Sequence, residues 1–480
     1  MDRIRDIFRN TSRPRQGVIY TPLDNDHEHG DAGVEYDHDP PSMTSSAVLL
    51  SPRASKSFPD LQPISWFDYS VFLLLGVAML WAWNCFLAAA AYFQGRFKDN
   101  KVILDTFQSS IMTVSTVTTL LITLALSRLQ RTAHYPYRIT CALIINIAVF
   151  TLLALSTVLF TNISAGVYLA FTLLMVLGTA VSSGFFQNGL FAYVSSFRPI
   201  YAQAVMAGQG VAGVLPAIAQ MATVLVIPPK SPKESQEDGP AAASPKSAFA
   251  YFLTATAVSA AALFLFFILL ARHLNQKQAG ESSESASNGL PAGGVIEADV
   301  DVEPKKSVSM LTLLRKLPLP AFAVFFTFAL TMVFPVFTQA TLSVNPASAS
   351  ELFRPEVFIP FAFLVWNVGD LLGRVACGLP ALVCTNPKVL AVGAVARVVF
   401  VPLYLLCNLK GRGAGVNSDL FYWVVQFFFG LTNGYVGSNS MMVAPSLVEE
   451  EEAAASGGFM GLCLVAGLAV GSAASFLLGV

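Results

Sequence analysis

Long apolar stretches constrain this chain more than any other feature of its sequence. A helix needs roughly 20 consecutive, mostly apolar residues to cross the hydrocarbon core of a bilayer, and about eleven stretches meet that requirement. Backbone polar groups in lipid must be satisfied within the segment, so each stretch is predicted to be a helix. The predicted spans are 66–92, 104–127, 137–160, 165–195, 200–227, 248–271, 318–342, 356–380, 389–408, 419–446 and 454–479.

The composition agrees with a polytopic membrane protein. Hydrophobic residues make up 54% of the chain and charged residues 12%, whereas about a quarter of the residues of a soluble protein are charged. The net charge of −1 gives no sign of nucleic-acid binding. The six cysteines are scattered without a ligand-like spacing, so we expect neither a metal site nor a disulfide framework, and no cofactor. The charged start has no apolar core behind it, which argues against a cleaved signal peptide.

Composition also divides the chain into four parts. Residues 1–63 are rich in Asp, His, Pro and Ser and are predicted to be a disordered cytosolic tail. A six-helix bundle is expected over 64–271 and a five-helix bundle over 318–480. The Gly-, Ser- and acid-rich stretch 272–317 between them is predicted to be a cytosolic linker. Two bundles joined in this way are typical of major-facilitator-type transporters.

Basic residues in the short loops predict the orientation. The loops at 127–138 and 197–199 and the ends of the linker carry Arg and Lys on one side of the predicted bundle. The positive-inside rule therefore places the N terminus in the cytosol. With an odd number of spans, the C terminus is expected on the opposite side.

The predicted eighth span carries an acid and a base in its middle. Asn367, Asp370 and Arg374 follow one another at helical spacing and share a stripe. Insertion of the acid and the base near a helix centre would cost about 5 to 7 kcal/mol unless they are paired or hydrated. Asp370 precedes Arg374 by one turn, the favourable order for an ion pair. The stripe therefore forms either a structural pair that fixes neighbouring helices or the polar wall of a solute pathway, and we favour the pathway.

The predicted first span contains WAWNCFLAAAAYF. Trp83, Leu87 and Ala91 share a helix face, with Asn84 beside it. Trp83 lies about halfway along the span, where interfacial anchoring explains it less well. An indole and an amide at this depth suit a planar polar solute. Helix packing, with Asn84 bonding to a neighbouring helix, explains them equally well.

Further polar residues interrupt the other spans. Gln187 lies in the fourth span, and its amide offers both a donor and an acceptor. Gln209 lies among glycines in the fifth span, where tight helix crossing is the favoured explanation. Pro335 in the seventh span frees a backbone carbonyl, and interrupted helices often border transporter sites. Asn433 in the tenth span is a further hydrogen-bonding group, whereas Arg397 in the ninth is interpreted as structural.

Six motifs, in order along the membrane portion, resemble the equilibrative nucleoside transporter family. They are WN in the first span, MAGQGVAGV, FPVFT, WNVGDLLGR, ARVVFVPLYLLCN and TNGYVGSNSMM. The resemblance implies an eleven-span, two-bundle fold that transports nucleosides, and sometimes nucleobases, by alternating access. It implies that Trp83 and Leu87 line the cavity, that Gln187 faces the base and that Asp370 and Arg374 contact the ribose. The expected substrate-binding residues are Trp83, Leu87, Gln187, Asn367, Asp370 and Arg374.

The chain departs from that family at two places. Ala82 replaces the proline that usually precedes the Trp-Asn pair, and the loop after the first span is short. The short loop and long tail resemble intracellular, vacuolar or lysosomal members more than plasma-membrane ones. The expected partners are a purine or pyrimidine nucleoside, the lipid bilayer and, for a proton-assisted carrier, protons. The rival hypotheses are a carrier of another polar solute such as a sugar or an amine, and a non-transporting receptor. An enzyme is not expected because the chain has no HExxH or GxSxG motif.

Overall fold

The computed structural model describes residues 64–130, 133–160, 163–226, 245–287 and 308–475. The predicted tail, 1–63, and the central part of the predicted linker, 288–307, lie outside these ranges. The described residues are mainly helical. Their isolated β-bridge joins Thr341 to Leu409.

The helices are numbered in chain order. The N-terminal set is α1 Trp66–Ala88, α2 Ala90–Phe97, α3 Lys101–Arg128, α4 Tyr135–Leu159, α5 Ala165–Val194, α6 Pro199–Val226 and α7 Pro245–Ser287. The C-terminal set is α8 Met310–Lys316, α9 Pro318–Thr331, α10 Val333–Ala340, α11 Pro355–Ala376, α12 Pro387–Ala396, α13 Phe400–Leu405, α14 Asp419–Val443 and α15 Ala453–Ser475.

In the described part of the chain, ten segments are helical, long and apolar enough to cross a membrane. They correspond to every predicted span except the tenth. The counterpart of that span is α14, which has 25 residues but is too polar to be among the ten. The all-helical, multi-pass architecture is confirmed, and the count of eleven spans stays a prediction.

Three of the spans are broken inside the bundle. The first, expected to be continuous over 66–92, passes through Ala82 and breaks at Ala89. The seventh breaks at Met332, between α9 and α10. Pro335 follows closely and has no N–H to donate to the carbonyl four residues earlier, which explains that break. The ninth contains a 3₁₀ turn, Arg397–Val399, ahead of Pro402.

Helix α7 is longer than expected. Its span was predicted to end at residue 271, but the helix continues to Ser287 and takes in the first part of the predicted linker. The end of that linker forms the short helix α8. The acidic and polar residues around 281–287 have no apolar periodicity. A prediction based on apolar, membrane-spanning stretches therefore ends the helix before them.

Residues 288–307 separate the two sets of helices along the chain, and we call this stretch the gap. Close packing joins helices that precede the gap to helices that follow it. Before the gap, α1 packs on α6, and a Cβ at Gly208 would lie 2.0 Å from the carbonyl oxygen of Leu73. This confirms the tight crossing expected for the glycine-rich stretch of α6. After the gap, α11 packs on α14 and α9 on α15. Across the gap, α6 packs on α11 and α5 on α15.

The buried apolar clusters differ between the two ends of the bundle. One cluster includes residues from both sides of the gap, such as Leu75, Val194, Met206, Ala444 and Met460. We call the end where these residues lie the closed end. Of the other large clusters, one draws only on helices before the gap, around Phe93 and Phe252, and one only on helices after it, around Phe358 and Tyr422. We call that opposite end the split end.

Large apolar side chains also cover the outside of the bundle. Leu121, Ile144, Phe264 and Val392 are among those with about half or more of their surface exposed. In water such a surface would favour aggregation. On a helix long enough to span a bilayer, it is the surface that meets lipid.

Candidate functional site

An ion pair lies inside the bundle on α11. Arg374 Nε donates to Asp370 Oδ2 over 2.7 Å, and both residues are at most 5% exposed. This confirms the predicted pair, one turn apart on one helix. Charges buried at this depth are retained when they are paired and hydrogen-bonded.

Glycines bring α11 and α14 into backbone contact around this pair. A Cβ at Gly373 would lie 2.1 Å from the Leu431 carbonyl oxygen. A Cβ at Gly434 of α14 would lie 2.0 Å from the Asp370 carbonyl oxygen. Side chains larger than hydrogen do not fit, so the two helices approach closely enough for Asn433 to reach Asp370.

Asn433 holds the second oxygen of the carboxylate. Its Nδ2 donates to Asp370 Oδ1 over 2.7 Å, and its Oδ1 accepts a hydrogen bond from the hydroxyl of Thr331. Thr331 is the last residue of α9, beside the break in the seventh span. The pair is therefore tied to two further helices of the C-terminal set.

Arg374 also connects the pair to α6. Its Nη1 donates to the backbone carbonyl of Met206 over 3.0 Å and to Gln209 Oε1 over 3.1 Å. Gln209 Nε2 in turn lies 3.1 Å from Met79 Sδ on α1. One guanidinium thus bridges helices that lie on opposite sides of the 288–307 gap.

Asn367 lies one turn from Asp370 but outside this network. Its Nδ2 donates to the Phe363 carbonyl over 2.8 Å. Its Oδ1 faces the backbone of α6, since a Cβ at Gly213 would lie 2.6 Å from it. Asn367 therefore belongs to the contact between α6 and α11, and within the described structure it makes no hydrogen bond to the ion pair.

The aromatic residue of the first span, Trp83, lies on α1. Trp83 is half-buried and stacks on Phe86, with ring centroids 6.1 Å apart and planes 5° from parallel. Asn84 Nδ2 donates to the Ala212 carbonyl of α6 over 2.7 Å, which supports its expected role in joining helices. Leu87 lies in the last turn of α1, and its side chain lies outside the described atoms.

Gln187 is buried on α5 with an open donor. It is 8% exposed, and its Nε2 has no hydrogen-bond partner within the described structure. Helix α15 passes beside it, since a Cβ at Gly461 would lie 3.4 Å from the Gln187 carbonyl oxygen. A buried amide donor without a partner is costly unless a ligand or water satisfies it.

The structure therefore joins some of the six predicted site residues and separates others. Asp370 and Arg374 form one hydrogen-bonded unit and Asn367 lies beside it, and among the described residues no hydrogen bond links Trp83 or Gln187 to that unit. Sequence reasoning missed Gln209 as a partner of Arg374, and it gave no partner for Asn433. Both are amides within apolar, glycine-rich helices, and that signal was present in the sequence.

The described helices and the ion pair buried among them define a multi-pass membrane protein with a fold like that of major-facilitator transporters. A solved structure of the Escherichia coli fucose:proton symporter FucP matches with a TM-score of 0.55 at 13% identity, over 86% of this chain and 92% of that one. A bacterial homologue of the iron transporter ferroportin, in the outward-facing state, matches with a TM-score of 0.54 at 12% identity, over 86% and 93%. At these identities the likeness concerns the fold alone.

Sequence comparison then identifies the family. The nucleoside transporter family model matches residues 173–480, and the chain belongs to that family. It is 28% identical to nucleoside transporter FUN26 of Saccharomyces cerevisiae, over 85% of this chain and 83% of that protein. It is also 28% identical to equilibrative nucleoside transporter 1 of Mus musculus, over 85% and 96%. The chain is thus a transporter and not an enzyme.

Proposed function

We propose that this member of the nucleoside transporter family binds its nucleoside beside the Asp370–Arg374 pair and moves it by alternating access. The observation that carries the proposal is the position of the pair, in contact with α6 on one side and with α14 on the other. A site at this position is exposed to one side of the membrane or the other when the helices before and after the gap rock against each other.

The chemistry of the pair suits a sugar. Each oxygen of Asp370 accepts one hydrogen bond from the protein, from Arg374 or from Asn433. A carboxylate oxygen has a second lone pair, so each can also accept from a ribose hydroxyl. Arg374 pairs with the carboxylate and positions it, and a hydrogen bond to a charged group is stronger than a neutral one.

The remaining predicted residues suit the base. In the proposed complex the ring lies against Trp83 and Leu87, and the free Nε2 of Gln187 donates to an acceptor on the base edge. Asn367 borders the site next to Asp370. An apolar cleft with a few converging polar groups is the usual form of a small-molecule site, and it needs no cofactor.

The closed and split ends indicate which state of the proposed cycle the structure represents. The apolar cluster at the closed end includes residues from both sides of the gap, and at the split end the clusters are separate. This supports the proposed division into bundles over 64–271 and 318–480. It also supports a state that opens toward the split end. Opening of the closed end would break the bonds from Arg374 to Met206 and Gln209.

Orientation and membrane are parts of the same proposal. We place the N terminus and the closed end in the cytosol, because residues at or next to the basic loops, Ile139, Phe197 and Leu313, belong to the closed-end cluster or pack against it. The short loop after the first span supports a vacuolar or lysosomal location over the plasma membrane. A fluorescent fusion observed with organelle markers would separate these locations.

The proposed cycle runs either passively or with a proton. Uptake of labelled uridine into proteoliposomes, with and without an inward acid gradient, separates the two. A rate that does not change with the gradient identifies a facilitative carrier.

Substitution of Asp370 tests the site. In Asp370→Asn the shape is kept, but Arg374 loses its counter-charge, and removal of one partner of a buried pair costs about 3 to 5 kcal/mol. Uptake of uridine is expected to fall by roughly a hundredfold or more. The matched control is Glu351→Gln, because Glu351 is an exposed acid 3.7 Å from Arg354 in a surface pair. It should transport almost as well as the wild type. Normal uptake by Asp370→Asn would show that the site is elsewhere.

A further inference from the structure

Arg397 is a second buried arginine close to the site. It is 1% exposed, in the 3₁₀ turn of the ninth span. Its Nη1 donates to the Thr327 carbonyl over 2.8 Å, and its Nε donates to Thr432 Oγ1 over 3.3 Å. The guanidinium also lies over the ring of Phe429, 4.8 Å from its centroid. The side chain therefore does not reach the membrane surface.

Arg397 has no acid of its own. Among the described residues, no carboxylate forms an ion pair with it, and its Nη2 has no hydrogen-bond partner. Its partner Thr432 adjoins Asn433 in α14, and Asn433 donates to Asp370, the acid that already pairs with Arg374. Arginine stays protonated in proteins. This buried group of two arginines and one aspartate therefore carries a net charge of +1.

We propose that Arg397 makes the site select against positively charged nucleosides. The inference rests on the proposed binding of nucleosides beside Asp370. Asp370 and Arg374 alone form a pair of zero net charge, which would not repel a cation. With Arg397 included, the buried group is positive, so it repels a cation bound beside Asp370, and charges in a buried site are little screened by salt. Specificity often depends on such a repulsive element.

A purely structural role for Arg397 makes a different prediction. The contact with Thr327 stabilises α9, one turn before Thr331, so loss of the side chain could lower the amount or the rate of the carrier. That loss would affect every substrate alike. The ratio of two substrates that differ in charge, measured in the same variant, would stay constant.

The test uses two isomers that differ in charge. N6-methyladenosine is neutral near neutral pH, whereas 1-methyladenosine is a cation. The wild type is expected to take up the neutral isomer in preference. In Arg397→Gln the uptake ratio of cation to neutral isomer is expected to rise by roughly tenfold. Arg397→Lys keeps the charge and should stay near the wild-type ratio.

Two changes at Thr432 complete the design. Thr432→Val removes the Nε partner but no charge, so its ratio should match the wild type. Thr432→Asp places a carboxylate beside Arg397 and should raise the ratio as Arg397→Gln does. It therefore tests the inference even where Arg397→Gln does not reach the membrane.

Two results would overturn the inference. One is a wild type that takes up both isomers equally. The other is an unchanged ratio in whichever of Arg397→Gln and Thr432→Asp reach the membrane. Failure of the proposed function would look different, because the wild type would then take up neither isomer nor uridine.

Discussion

Two neighbouring amides on α5 have opposite environments. Gln187 Nε2 has no hydrogen-bond partner among the residues that the structure describes. Asn188 is 2% exposed and has both ends of its amide bonded, since it accepts from Arg138 and donates to Ser127 Oγ over 3.0 Å. The first arrangement suits a ligand, and the second stabilises the fold.

Leucine substitutions should separate these roles. Gln187→Leu removes no hydrogen bond from Nε2 to the protein, so the amount of folded carrier should be unchanged. KM for uridine should rise by about tenfold, which corresponds to one lost hydrogen bond to substrate. Asn188→Leu leaves Arg138 and Ser127 short of partners and should destabilise the protein by about 1 to 3 kcal/mol. Uptake kinetics and thermal unfolding in detergent measure the two effects. Equal behaviour of the two variants would refute the distinction.

Two hydrogen bonds connect Thr331 through Asn433 to Asp370, and substitution of these side chains tests whether they act together. Asn433→Ala should lower kcat/KM for uridine by roughly tenfold, because Asp370 Oδ1 loses its donor. Thr331→Val should act through the same amide. The double variant should therefore lose less than the sum of the two free-energy losses. Strict additivity in a double-mutant cycle would show that the two side chains act independently.

Local spacing was enough to predict the Asp370–Arg374 pair, because both residues lie on one helix. It could not predict that Gln209 and Asn433 bond to the pair, since those contacts depend on how separate helices pack. The sequence predicts a structural Arg397, and its spacing does not show that Thr432, which Arg397 contacts, adjoins the Asn433 that bonds to Asp370. These contacts with the ion pair were not predicted because the residues lie far apart along the chain, although their chemistry suits hydrogen bonding.

Among the helices, α11 and α14 are held together by facing glycines, and a Cβ at Gly369 would lie 2.3 Å from the Phe427 carbonyl oxygen. Gly430 and Gly434 of α14 face α11 in turn, and a Cβ at Gly430 would lie 2.2 Å from the Trp366 carbonyl oxygen. The ion pair keeps its geometry because this contact is so close.

Gly434→Ala should therefore be costly. Its Cβ would lie 2.0 Å from the Asp370 carbonyl oxygen, so the helices must separate, at a cost of about 1 to 3 kcal/mol. The matched control is Gly393→Ala in α12, where the nearest atom is Val436 Cγ2 at 3.5 Å. The control should be neutral or slightly stabilising, because alanine favours the helix. Thermal unfolding of both variants measures the difference, and equal melting temperatures would contradict the close contact.

Helix existence was predicted better than helix limits and breaks. Pro335 marked the break in the seventh span, because proline removes a specific donor. The break at Ala89 has no such signal in the sequence, and we have no physical account of it. The extension of α7 to Ser287 was missed because hydropathy detects only the part of a helix that meets lipid.

At the scale of the whole molecule, the closed end depends on contact between α5 and α15. A Cβ at Gly457 would lie 2.1 Å from Ser195 Oγ and 2.2 Å from the Phe191 carbonyl oxygen. These residues lie on opposite sides of the 288–307 gap. In the proposed cycle this contact must form and break once for each molecule transported.

Gly457→Val should prevent the closed end from forming. Uptake of uridine is expected to fall by more than about tenfold, while the carrier still reaches the membrane, because overpacking at this contact costs about 1 to 3 kcal/mol. Gly166→Val is the matched control, since a Cβ there meets no atom within 4 Å. It should keep most of its uptake. Similar losses in the two variants, at similar amounts of protein, would exclude this contact from the transport cycle.

The polar character of α14 has a consequence for biogenesis. Gln426, Asn433 and Asn439 are at most 1% exposed in the folded protein. In a nascent chain leaving the ribosome, the helices that bury these amides are not yet packed around them. Translocon insertion is penalised by polar groups near the centre of a segment. We therefore expect α14 to enter the bilayer together with α11, as a pair already in contact, and not as an independent unit. The proposed transport site then assembles in the same step in which α14 enters the bilayer.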